Sequence, residues 1–122
     1  MRFLRAIGLF VCVLALCSIA VAKENNLGIH EVTHVTFSEP TRVGSVLLPA
    51  GDYVVRHTME GQDHVMVFEH GRNRTVVVKV KCTLVPLAQA ANHSETVVVV
   101  NTANERVLQE MVVRGDKAKH VF

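Results

Sequence analysis

These 122 residues contain no glycine-rich phosphate loop, no nucleophile elbow around a serine and no amphipathic helix of useful length. Phosphate-cradling folds and serine hydrolases of that type drop out with them. Ser38, Ser45 and Ser94 lack a recognisable context, and nothing selects any two carboxylates as the acid pair of a glycoside hydrolase. No catalytic activity and no cofactor are expected. Internal repeats and low-complexity segments are missing as well. Cysteine is scarce, at three residues, and the formal net charge is only +2.

Residues 1–22 read as a secretory signal peptide. Arg2 and Arg5 make the basic start, residues 6–21 the apolar stretch, and Ala20, Val21 and Ala22 a small-residue cleavage site before Lys23. The apolar run is at or below the ~17–25 residues that span a bilayer, so no membrane span is expected after leader cleavage. A lipoprotein would need Cys17 to become the first residue after cleavage, and Leu16 is large for the position before it. Cleavage leaves residues 23–122 as one domain, long enough for a single core. It also removes Arg2 and Arg5, so that eleven basic residues balance eleven acidic ones. Without a basic excess there is no electrostatic case for nucleic acid or an anionic membrane. Cys12 and Cys17 leave too. Cys82 then has no partner within the chain and reads as a small buried apolar residue rather than a reactive thiol.

What the sequence does contain is β-strand pattern. Pro49, Ala50 and Gly51 signal a turn, so a strand starts near Asp52 with Tyr53, Val54 and Val55. A second turn falls at residues 59–62, a strand at residues 63–70, a third turn at residues 71–73 and a strand at residues 74–84. In that last strand Val76, Val78, Val80, Cys82 and Leu84 share one face. A loop over residues 71–73 sets Phe68 across from Val76, Met66 across from Val78 and His64 across from Val80. A short loop around Glu60 and Gly61 sets His57 across from His64, Val55 across from Met66 and Tyr53 across from Phe68. The inner face is then Tyr53, Val55, Met66, Phe68, Val76 and Val78. The outer face carries Arg56, Thr58, Asp63, Glu69, Thr75 and Lys79, with Val54, Val65, Val67 and Val77 among them. These four valines predict a second layer or a partner on that side.

Residues 23–31 read as a loose arm and residues 32–38 as a strand with Val35 and Phe37 inward. Residues 42–48 make a further strand, and residues 86–94 an irregular connection with one turn of helical character at most. The run ETVVVV at residues 95–100 is a strand that must be central or covered, because an exposed uncharged edge invites aggregation. Residues 106–114 form the last strand, and every loop length tried before it opposes a valine with Gln109 or Glu110. Residues 115–122 make a polar tail. About seven strands with short turns predict an all-β protein, an antiparallel β-sandwich or a small barrel.

In residues 37–56, FSEPTRVGSVLLPAGDYVVR, the positions Phe37, Pro40, Leu48, Pro49, Ala50, Gly51 and Tyr53 stand in a Phe-x-x-Pro and Leu-Pro-Ala-Gly-x-Tyr pattern. The chain resembles small secreted β-proteins of acidobacterial type that share this pattern, a group without an assigned activity. LPAGDYVV also resembles the corresponding strand of carboxypeptidase-regulatory and transthyretin-like domains. Both likenesses imply a β-sandwich that binds or supports something, and the first implies a bacterial source. In a bacterium, the acceptor patterns at Asn73-Arg74-Thr75 and Asn92-His93-Ser94 are coincidental.

Histidine is the one enrichment, at seven residues. Paired imidazoles at His57 and His64 can share Zn2+ or Cu2+ given a third ligand, and their proximity opposes protonation of both. The expectation is therefore a secreted or periplasmic non-catalytic binding or structural module. Its partner is an unknown protein or cell-envelope component that contacts Val54, Val65, Val67 and Val77 or the 86–94 loop. The alternative is a histidine-based metal carrier or sensor.

Overall fold

The computed structural model describes residues 28–122. The leader expected over residues 1–22 lies outside them, and so do Cys12 and Cys17. Turn residues cut a valine-rich chain into nine strands: β1 (Val32–Phe37), β2 (Thr41–Val43), β3 (Val46–Leu48), β4 (Gly51–Glu60), β5 (Asp63–His70), β6 (Val76–Pro86), β7 (Glu95–Val100), β8 (Arg106–Val112) and β9 (Ala118–Val121). Among the described residues there is no helix, and hence none long and apolar enough to cross a membrane.

The all-β expectation is met, with two more strands than expected. Residues 42–48 form two strands, because Gly44 turns at a φ of 58° and lets Val43 pair with Val46. The supposed tail contributes β9, whose Ala118 and His120 are buried, and Phe122 packs on Phe68 with ring centroids 6.4 Å apart. The strands form one open, mixed sheet in the order β1-β4-β5-β6-β9-β8-β2-β3, with β7 on β8. The pairing is not wholly antiparallel, since β2 runs parallel to β8. Side chains from both ends of this order share one apolar core, with Phe37, Val55 and Phe68 from one part and Val43, Leu48, Leu108 and Met111 from the other.

Register departs from the expected one in an instructive way. The β4–β5 turn is Gly61-Gln62, closed by Glu60 opposite Asp63, so Val55 lies across from Phe68 and His57 across from Met66. That is a slip of two residues, and it leaves every side chain on its expected face. Between β5 and β6 the loop is one residue longer than expected. His70 pairs with Thr75 through a 2.9 Å bond, and Arg74 adopts a left-handed φ of 59°. One extra residue turns Val76 outward, opposite Glu69 and 48 % exposed. The expectation that Val76 lies in the core is therefore corrected. A bulge between Phe68 and Glu69 then inserts Val77 and restores the phase, so Phe68 faces Val78 and Val77 packs against the core instead of lying on the outer face. A second bulge resolves the β7–β8 hairpin: Val97 faces Glu110, Val98 faces Leu108, and Gln109 is the extra residue.

Tyr53 ties the Leu-Pro-Ala-Gly-x-Tyr pattern together. Its hydroxyl donates to the Pro49 carbonyl at 2.6 Å while its ring packs on Phe37 at 5.7 Å between centroids. The residues 87–94 connection holds no helix. It is bonded to the turn after β8, through Leu87 to Lys117, Ala91 to Asp116 and Gly115 to Ala91.

Phe68→Ala is expected to lower unfolding free energy by about 3–5 kcal/mol, because Phe68 is fully buried. Val76→Ala is expected to change it by no more than about 0.5 kcal/mol. Urea denaturation of the two variants checks this, and equal losses would contradict the bulged register.

Candidate functional site

Alternation along β6 points Val78, Val80, Cys82 and Leu84 to the inner side. Pairing with β5 places His64 directly across from Cys82. His57 sits one step diagonally from His64, whose direct partner on β4 is Met59. The β6–β9 register sets His120 across from Leu84, diagonal to Cys82. His57, His64, Cys82 and His120 thus come from four successive strands of the sheet.

Their side chains meet. His57 Nε2 and His64 Nδ1 lie 3.1 Å apart, one ring donating to the other. Cys82 Sγ is 3.7 Å from His120 Nδ1. The curl of the sheet brings the outer two together, with the His57 and His120 rings 5.7 Å apart between centroids. The expected contact of His57 with His64 is present, through a diagonal rather than a direct pairing. His120 and Cys82 complete the group. His120 lies in residues that read as a polar tail, so no strand register linked it to the other histidines. Cys82 was placed on the correct face without a reason to connect it to a histidine.

Burial dominates the chemistry of this cluster. It holds His57 below the usual imidazole range, with His64 adding to the effect. Burial, followed by the proximity of His57, pushes His120 down to about 4, and burial pushes the Cys82 thiol up to about 11. At neutral pH His57 and His120 are thus uncharged bases and Cys82 a protonated thiol. Asp116 acts on both histidines in the opposite sense. Its side chain is fully buried; Oδ1 accepts from the His30 amide at 3.0 Å and lies 2.5 Å from His30 Nδ1, while Oδ2 has no hydrogen-bond partner. Among the described residues, no three His, Cys, Asp or Glu side chains converge as they stand on a point where a metal ion would sit. A depression of ≈ 620 Å3 lies elsewhere, over Pro49, Tyr53, His70 and Asn73.

Val54, Val65 and Val67, expected to lie under a second layer or a partner, are on the outer side of the sheet. All three are buried. Their cross-strand neighbours are long or charged: Arg56 and Lys79 flank Val67, Lys81 flanks Val65, and Glu69 flanks Val54. Ion pairs join these side chains to one another and to further ones, Arg56 to Glu69 at 3.6 Å, Lys79 to Glu60 at 3.4 Å and Lys81 to Asp63 at 3.1 Å. Aliphatic stems of such residues cover apolar surface while their charges stay in water. Three exposed valines lie together on β7, Val97, Val99 and Val100, the last exposed by 60 %. Among the described residues β7 pairs with β8 alone and its other edge is free, contrary to the expectation that this run is central or covered. The 86–94 loop adjoins it, and Leu87, Ala91 and Asn92 line a depression of ≈ 350 Å3 together with Val97 and Glu110.

The chain matches no known protein family, no curated protein and no solved structure.

A histidine whose folded pKa is depressed binds its proton in the unfolded chain first, so stability falls as pH drops through the interval between the two values. For His120, about 4 when folded against 6.5 unfolded, the loss between pH 7.5 and pH 5 is about 2 kcal/mol, and His57 adds to it in the same direction. Urea midpoints at the two pH values measure this. Constant stability across that interval, which lies above the carboxylate range, would contradict a buried neutral His120.

Proposed function

We propose that the protein is an exported, non-catalytic structural or binding module of the sandwich type that joins a second copy of itself along β7. The observation that carries this is the free edge of β7. Natural sheet edges are usually blunted by a charge, a proline or a bulge on the edge strand. Residues 96–100, TVVVV, have none of the three, and the extra residue of the nearby bulge sits on β8. Such an edge is stable in an exported protein when another strand covers it.

A second copy fits by charge. Antiparallel pairing about the middle of the run brings Glu95 opposite Val100 of the other copy, whereas parallel pairing would oppose the two glutamates. Antiparallel pairing also makes the contact isologous, so it closes as a dimer instead of growing. The adjoining 86–94 loop supplies the rim. A non-catalytic role agrees with the chemistry of the histidine cluster, since a thiol raised to about 11 carries almost no thiolate at neutral pH and is a poor nucleophile. Export rests on the leader-like residues 1–22, and the cell envelope or its exterior is the expected location.

Sedimentation velocity on the purified protein over a range of concentrations tests the proposal. A reversible dimer is expected, weakened at least about tenfold by Val99→Lys, a substitution at an exposed site that leaves the fold intact. A monomer at every concentration, or a dimer that Val97→Lys and Val99→Lys both leave unchanged, would overturn it.

A further inference from the structure

We infer that His57, His64, Cys82 and His120 form a binding site for a single Zn2+ ion. The four potential donors make a closed ring across β4, β5, β6 and β9. His57 touches His64, His64 stands directly across from Cys82, Cys82 touches His120, and His120 returns to His57. Zinc bonds of ~2.0–2.3 Å in tetrahedral geometry separate neighbouring donors by roughly 3.3–3.6 Å. The two contacts in the ring, 3.1 Å and 3.7 Å, bracket that spacing. Three imidazole nitrogens and one sulfur also match the ligand preference of zinc.

The donors stand as two pairs, each with its own contact, and do not meet at one point. Convergence requires turning the rings and the thiol about side-chain bonds while the strands stay in place. His64 and Cys82 are only half-buried. A purely structural polar cluster would account for the adjacency, and His30 for Asp116 Oδ1, but neither accounts for Asp116 Oδ2. That oxygen is buried and has no hydrogen-bond partner among the described residues. A zinc ion there would have its two positive charges matched by the Cys82 thiolate and the Asp116 carboxylate. Binding forms three zinc–nitrogen bonds and one zinc–sulfur bond and breaks the Cys82 S–H bond, whose proton goes to solvent.

The test uses the purified metal-free protein titrated with Co2+ as a spectroscopic probe and then with Zn2+. One equivalent of Co2+ should bind with thiolate-to-cobalt absorption and release of about one proton, and Zn2+ should displace it. Cys82→Ser should abolish that absorption, and His64→Gln should weaken binding at least about tenfold. His93→Gln, outside the ring and exposed, should change nothing. Absence of saturable uptake, uptake without thiolate absorption, or uptake indifferent to both Cys82→Ser and His64→Gln would overturn the assignment. None of these readouts depends on whether the β7 edges pair.

Discussion

The backbone of β6 is the constraint on which the rest of the protein depends. Over Val76–Cys82 its hydrogen bonds go to β5, and over Thr83–Pro86 they go to β9. In the strand order it is the link between β1, β4 and β5 on one side and β9, β8, β7, β2 and β3 on the other. One extended strand serves both because its inner face stays apolar from Val78 to Leu84. The handover from one partner to the other falls at Cys82 and Thr83, and the histidine cluster assembles there. His64 arrives from the first partner and His120 from the second. Curl of the sheet around this strand then brings His57 to His120 and lets Phe68 and Phe122 share the core.

Much of this was legible in the sequence. Period-two burial identified Val35, Phe37, Tyr53, Val55, Met66, Phe68 and Val78 as core residues, and all seven are buried. Register was less accessible, because turn residues fix a loop only to within one or two positions. A two-residue error at Gly61 was harmless, since the side-chain period is also two. The one-residue error at residues 71–74 exposed Val76, and only the bulge at Val77 kept the histidine side in phase. Bulges leave little trace in a single sequence, and so neither this one nor the one at Gln109 was foreseen. The parallel pairing of β2 with β8 and the recruitment of residues 118–121 as a strand are decisions of tertiary packing, to which local pattern is blind.

The candidate sites divide in the same manner. His57 and His64 were found together because they lie on neighbouring strands of one hairpin, within reach of a pattern argument. His120 is 56 residues beyond His64 in the chain, and no periodicity connects the two. Of the four outer valines, Val77 packs against the core, and Val54, Val65 and Val67 are buried with Arg56, Lys79, Lys81 and Glu69 as cross-strand neighbours. The exposed valines of β7 belong to a run whose uncharged sequence argued for burial. Its position at an edge follows from β8, which has β9 and β2 along one side and thereby leaves β7 the other.

Whether β6 joins the two parts of the sheet as described is read most directly from nuclear Overhauser contacts between the imidazole protons of His57 and His120. These residues are 63 positions apart in sequence, and their rings lie 5.7 Å apart between centroids. A cross-peak between the rings, seen together with cross-strand peaks from His57 to Met66, is the predicted result. Peaks from His57 to Met66 with none to His120 would mean that β9 does not continue the sheet from β6, and the account of the core and of the four-residue ring would fail together.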